Sequence, residues 1–150
     1  MKITDKHVFF WNGIYSQWYP SSFTIDGNQF VTCEQYMMYE KAILFGDKEI
    51  ADKILLTELP NEQKALGKLV KGFDRTLWDQ HCFSIVYQGN LAKFTQNPEL
   101  KEELIATGDR VLVEASPYDF IWGIKLGDEQ FNLADIWNKN GNYAVVGMGI

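Results

Sequence analysis

Glu34 and Lys41 lie seven residues apart in a stretch whose apolar residues recur at helical spacing. Seven residues turn a helix through about 700°, close to two full turns, so the two side chains share one stripe about 10 Å apart along the axis. Met38 lies between them on this stripe. A carboxylate and an amine that flank an apolar position can bracket a sugar inside a pocket. The same spacing is also typical of two solvated charges on an exposed helix face.

A second group of chemically capable residues follows an apolar run at residues 111–115, which we predict to be a buried strand. Glu114 lies near the end of this run, where a carboxylate is costly to bury without a partner. It is therefore expected either in a site or in a buried ion pair. Asp119 and Trp122 come next. Trp122 has a flat face on which a base can stack, although such a tryptophan is more often part of the core.

The elements that must position these residues are predicted from periodicity, caps and turns. The helix that contains Glu34 and Lys41 is expected over residues 33–45, with Thr32 as its N-cap and Gly46 at its end. Gly67 lies inside another predicted helix, where it costs about 1 kcal/mol relative to alanine, so we expect it to permit close packing. The other predicted elements are strands at 8–11, 111–115 and 122–126, a hairpin at 23–31, and helices at 48–56, 60–71, 78–95 and 98–107.

Length and composition predict one helix-dominated α+β domain over residues 1–150. The apolar share of 46% and aromatic share of 15% are sufficient for a substantial core. The net charge of −6 argues against tight nonspecific binding of nucleic acid, which usually needs a basic surface. No apolar run reaches the ~18 residues of a membrane span.

The inventory of special residues predicts neither a metal nor another cofactor. Two cysteines, Cys33 and Cys82, imply no disulfide framework, and together with two histidines they show no paired metal-ligand spacing. There is no glycine-rich phosphate loop of the Rossmann type. The N-terminus lacks a signal-peptide core, so we expect a cytoplasmic protein.

Residues 33–42 (CEQYMMYEKA) and 45–47 (FGD) resemble the signature E-x-Y-M-x-x-x-K-A…F-x-D of the NADAR (YbiA-like) proteins. Further blocks match in order and together are specific. They are residues 16–20, 66–70, 73–74, 78, 93–94, 96–98, 104, 107–108, 112–116, 119 and 122–123, within a resemblance that covers about residues 9 to 137. The resemblance implies a YbiA-like α+β fold and N-glycosidase activity. It implies as substrates either riboflavin-pathway ribosylamine phosphates or ADP-ribose on guanine bases.

Hydrolysis of a ribosyl C–N bond gives the matching residues their predicted roles, because positive charge builds on the sugar and negative charge on the departing nitrogen. Glu34 is predicted to be the acid–base catalyst. Asp119 is predicted to orient water or stabilise the cation, and Trp122 to stack on the base. Lys41 either binds a phosphate or hydroxyl as a point charge or forms an imine with a ring-opened ribose.

Further substrate contacts are predicted for residues in or near the matching blocks. Tyr36, Trp18 and Glu114 are expected to line the substrate site. For Trp18 the core is the favoured alternative. Lys68 and Arg75 are candidates for binding phosphate, with plain surface charges as the alternative.

The end of the chain departs from the family pattern. Trp137 is followed by NKNGNYAVVGMGI, without the terminal Leu-Met-x-x-Arg that members usually have. This departure supports a second hypothesis, a binding module that holds an ADP-ribose-like ligand without turnover. A third is a structural or partner-binding domain, in which the acidic residues are solvated. The enzyme hypothesis expects a small-molecule ribose phosphate or an ADP-ribosylated partner.

Overall fold

The computed structural model describes residues 1–10 and 12–114. In chain order its elements are β1 (Lys2–Ile3), β2 (His7–Phe10), β3 (Phe23–Ile25), β4 (Asn28–Phe30), α1 (Cys33–Leu44), α2 (Lys48–Leu55), α3 (Pro60–Gly67), α4 (Arg75–Gln96), α5 (Pro98–Ala106) and β5 (Val111–Glu114). These residues form two compact units, residues 1–16 with 99–114 and residues 17–98. The prediction of an α+β fold in which helices dominate is confirmed.

The first unit is built on a small mixed sheet with strand order β1-β2-β5. β1 and β2 are antiparallel, whereas β2 and β5 are parallel, with Phe10 opposite Glu114. Every residue of β2 is buried, as expected for a central strand. Tyr15 Oη donates a hydrogen bond to the Glu103 carbonyl of α5 at 3.3 Å, which joins this part of the chain to that helix.

The second unit consists of the predicted hairpin, β3 and β4, and the helices α1 to α4. At the turn of the hairpin, Asp26 and Gly27 both have positive φ angles, as the Asp-Gly sequence predicts. α1 packs against α2, α3 and α4, so most of its circumference is buried. The main core cluster lies where these helices meet and contains Met37, Met38, Ala42, Ile50, Ala51, Ile54, Val70 and Trp78.

The predicted caps of α1 are present. The Thr32 side chain accepts a hydrogen bond from the Gln35 backbone N–H at 3.0 Å, and Gly46 follows the helix with a φ of +73°. Gly67 confirms the expectation of close packing, since a Cβ added there would lie 2.0 Å from Met38 Sδ. α1 and α3 therefore approach each other at a contact that only glycine allows.

Two predicted helix boundaries are wrong. α3 ends at Gly67 rather than near residue 71, and α4 begins at Arg75 rather than at Trp78. The chain between them turns at Gly72, with a φ of +76°, and the Lys71 N–H donates to Asp47 Oδ2 at 2.9 Å. Asp74 then caps α4 by accepting from the N–H groups of residues 76 and 77. The strand predicted at 122–126 lies outside the described residues.

Gln35 connects the start of α1 to three neighbouring backbone groups. Its Oε1 accepts from the Val31 N–H at 2.8 Å, and its Nε2 donates to the carbonyls of Ile54 and Thr57, each at 2.9 Å. The side chain is buried. Because buried polar groups are costly when unpaired, Gln35 fixes the position of α1 relative to α2.

We expect Gln35→Ala to lower the free energy of unfolding by about 3 kcal/mol, because the three hydrogen bonds of a buried side chain are lost. Urea denaturation followed by circular dichroism measures this change. Gln29→Ala is the control, since Gln29 is exposed and such surface changes usually stay within about 0.5 kcal/mol. Equal midpoints for the two variants would contradict the role assigned to Gln35.

Within residues 1–10 and 12–114, none of the helices combines the length and apolar character that crossing a membrane requires.

Candidate active site

Glu34 lies in the first turn of α1, and only 5% of its surface is exposed. Its backbone N–H donates to the Gln17 carbonyl at 3.0 Å, which ties the start of α1 to the segment before the hairpin. A carboxylate at the start of a helix is favoured by the positive end of the helix dipole. The alternative of a solvated charge at this position is therefore wrong.

Lys41 lies two turns further along α1 and is half-buried. Its Nζ donates a hydrogen bond to the Gly67 carbonyl at 2.9 Å. The same Nζ lies 4.7 Å from the centroid of the Phe73 ring and 5.9 Å from that of Trp78. A carbonyl and two aromatic faces therefore surround the amine, which is an environment that stabilises a cation.

Burial lowers the pKa of Lys41 from its ordinary value. The Glu34 carboxylate opposes this effect by raising the pKa, and the Arg75 guanidinium adds a further lowering. A nearby negative charge favours the charged form of an amine, which explains the direction of the Glu34 effect. Met38, between them on the stripe, is buried in the core cluster.

The structure separates Tyr36 from this pair. Its side chain is buried in an aromatic cluster, with ring centroids 5.1 Å from Phe30 and 6.2 Å from Phe23, and burial raises its pKa to about 12. Two residues after Glu34, a helix has turned by about 200°, so Tyr36 points to the opposite side of α1. We therefore assign Tyr36 to packing rather than to substrate binding.

Trp18 is 41% exposed, so the alternative that placed it in the core is wrong. The Lys64 Nζ lies 6.0 Å from the centroid of its ring. The indole lies in the segment whose neighbour Gln17 contacts the start of α1. Trp18 remains a predicted substrate contact.

The two phosphate candidates are exposed. Lys68 caps the C-terminus of α3, one residue beyond the carbonyl that Lys41 contacts. Arg75 begins α4, and its Nε lies 3.2 Å from Asp79 Oδ1 in an exposed i,i+4 pair. Such a pair contributes little to stability.

Three predicted residues lie in the first unit or outside the described residues. Glu114 is half-buried at the end of β5, in the first unit. Asp119 and Trp122 lie outside the described residues, as does Trp11. Of the three predicted catalytic residues, the structure therefore describes Glu34 and Lys41, and their roles stay predictions.

Lys93 is a residue that sequence reasoning assigned no role. It is fully buried on α4, where its Nζ lies 5.6 Å from the centroid of the Tyr19 ring. Burial lowers its pKa, whereas nearby Cys33 raises it. The sequence feature that could have indicated its burial is its place next to small residues of α4 that are also buried, including Gly89, Asn90 and Ala92.

Comparisons with known proteins decide the family. The sequence profile of the NADAR domain matches residues 9–143. The chain belongs to the NADAR family. It is 45% identical over 140 residues to the N-glycosidase R617 of Acanthamoeba polyphaga mimivirus, which covers 85% of this chain and 82% of the relative.

Another relative is the chloroplastic riboflavin biosynthesis protein PYRR of Zea mays. The two sequences are 32% identical over 123 residues, which cover 74% of this chain and 20% of that protein. The fold is similar to the NMR structure of the Escherichia coli protein YbiA, with a TM-score of 0.72 and 25% identity over 86% of this chain and 77% of that one. The predicted family and YbiA-like fold are thus confirmed. The predicted enzyme class, a hydrolase of N-glycosyl bonds, is also confirmed, since curated relatives are N-glycosidases.

Proposed function

We propose that this NADAR protein hydrolyses the C–N glycosidic bond of a ribose-phosphate compound. The observation that carries this proposal is the pairing of a buried carboxylate, Glu34, with a half-buried amine, Lys41, on one stripe of α1. The substrate is a riboflavin-pathway ribosylamine phosphate or an ADP-ribosyl-guanine compound. The name of the mimiviral relative supports N-glycosidase chemistry, and the name of the maize relative supports a connection with riboflavin biosynthesis.

In the proposed reaction, protonated Glu34 donates its proton to the departing nitrogen while the C1′–N bond breaks. The electron pair of that bond stays with the base, and the ring oxygen shares the positive charge left on C1′. Asp119 stabilises this charge or orients the water that adds to C1′. The water loses one proton, which returns to Glu34, so free base and free ribose phosphate are the products.

Lys41 has two proposed roles, and both use the amine environment described above. As an ammonium it binds a sugar hydroxyl or a phosphate. As a neutral amine it adds to C1′ of the ring-opened sugar, the base leaves with its electron pair and a proton, and an imine forms. Water then hydrolyses the imine and restores the amine. Lys68 and Arg75, both exposed, are the proposed phosphate contacts.

The test is a base-release assay with the full chain on ribosylamine phosphates of the riboflavin pathway, ADP-ribosyl-guanosine and NAD. We expect release from one of the first two classes. Tight binding of ADP-ribose without release from any substrate would favour the binding module. Release from NAD alone would reject both proposed substrate classes.

Trp122→Ala is expected to weaken substrate binding by ~1–3 kcal/mol, because a base stacked on the indole would lose its platform. Isothermal titration with a slowly hydrolysed substrate analogue measures the change. A circular dichroism melt provides the control. Loss of folding in the variant would assign Trp122 to the core instead.

A further inference from the structure

The last carbonyl of α3 holds the amine of Lys41. Gly67 ends α3, and its carbonyl accepts a hydrogen bond from Lys41 Nζ at 2.9 Å. The carbonyl end of a helix has a partial negative charge, so it can take the place of a counter-ion. Among the described residues, no carboxylate forms a salt bridge with Lys41.

The approach of this carbonyl depends on the missing side chain of Gly67. A Cβ at this position would lie 2.0 Å from Met38 Sδ and 2.8 Å from Met38 Cγ. Met38 is buried in the core cluster, so its side chain has packed neighbours that limit its movement. A larger residue at position 67 therefore requires Met38 to repack against its neighbours or α3 to move away from α1, and the carbonyl moves with α3.

We propose that Gly67 is a positioning residue, which brings the end of α3 close enough to orient the Lys41 amine for its reaction with the sugar. The reaction with the sugar rests on the proposed function, whereas the contact between Gly67 and Lys41 does not. One N–H of Lys41 stays on the Gly67 carbonyl whether the amine is charged or neutral. The rings of Phe73 and Trp78 also lie near the amine, so the lone pair of the neutral amine can point in only a narrow range of directions.

The test compares the wild type with Gly67→Ala and with the double variant Gly67→Ala/Met38→Ala, each as the full chain. Nuclear magnetic resonance of lysines labelled with ¹³C and ¹⁵N follows the Lys41 side chain through a pH titration, and Lys41→Gln identifies its signal. In Gly67→Ala we expect the Lys41 pKa to fall, because a hydrogen bond that favours the charged form is lost. We expect the rate of base release to fall about a hundredfold, because misplacing a reacting group by about 1 Å reduces the rate by about that factor.

The double variant removes Met38 Sδ and Cγ, so the added Cβ has room and the pKa should return towards its wild-type value. Gly89→Ala is the matched control for packing strain, since a Cβ there would lie 2.9 Å from Tyr36 Cδ2. It should lower the melting temperature without moving the Lys41 pKa. A Lys41 pKa that is the same in wild type and Gly67→Ala would overturn the inference.

The titration needs no substrate, so the two proposals can fail separately. If the Lys41 pKa responds to Gly67→Ala but the wild type releases no base from any substrate, the role of Gly67 in holding the amine stands and the proposed function fails. If the wild type releases base but the Lys41 pKa is unchanged in Gly67→Ala, the proposed function stands and this inference fails.

Discussion

Glu34→Gln is expected to reduce base release by about 10²- to 10⁴-fold, the usual contribution of general acid–base catalysis. Glutamine has nearly the same shape as glutamate but can neither give a proton to the departing nitrogen nor take one from water. The residue is 5% exposed, so its surroundings hold the side chain in one place. Stopped-time assays of free base under saturating substrate measure the loss in kcat.

The fold should survive this substitution. The backbone N–H of residue 34 keeps its hydrogen bond to the Gln17 carbonyl, because the side chain is not involved. Urea denaturation checks that the variant is folded. Glu49→Gln is the matched control, since the Glu49 side chain is 72% exposed on α2 and its i,i+4 pair with Lys53 contributes little. An unchanged rate in Glu34→Gln would remove Glu34 from the mechanism.

The helix that positions the candidate site was predictable because local signals agree with its tertiary role. Thr32 supplies the N-cap, Gly46 the turn that follows, and the apolar residues between them the period of a helix. The stripe shared by Glu34 and Lys41 follows from helix geometry alone. The burial of this stripe could not be predicted from the spacing, since the same spacing fits an exposed helix face.

Boundaries set by contacts between distant segments were not predictable in the same way. The sequence after Gly67 is compatible with a longer helix, and α3 ends early because the chain turns to bring Lys71 to Asp47. That hydrogen bond joins residues 24 positions apart, so no local pattern indicates it. The predicted start of α4 at Trp78 followed the apolar pattern, whereas the structure has Asp74 as the N-cap.

The surroundings of each candidate side chain also required tertiary structure. Lysine is rarely buried completely, so the sequence assigned Lys93 no role beyond its place in a matching block. For Tyr36 and Trp18 the residue type does not decide, since an aromatic side chain fits both a core and a ligand contact. Tyr36 packs against Phe30, whereas Trp18 is exposed. The carbonyl that Lys41 contacts belongs to a glycine, a residue type that offers no side-chain signal.

Lys41→Arg is expected to separate the two roles of the lysine. Arginine keeps the positive charge but does not form an imine, so the imine role predicts a loss of about 10³-fold or more in kcat, as for removal of a nucleophile. A purely electrostatic role predicts that a substantial part of the rate survives. Borohydride added during turnover should also attach a sugar to Lys41 in the wild type, and mass spectrometry of the peptide detects it.

The pH dependence of this trapping has a definite sign. Burial lowers the pKa of Lys41, so its neutral, nucleophilic form is present at lower pH than for an ordinary lysine. The trapping rate should therefore rise with pH through a midpoint below the ordinary pKa of a lysine. Lys48 is the internal control, because its exposed side chain donates to Asp52 and its pKa is raised. Borohydride adducts shared equally by Lys41 and Lys48, or a wild type that gives none during turnover, would leave Lys41 with the electrostatic role alone.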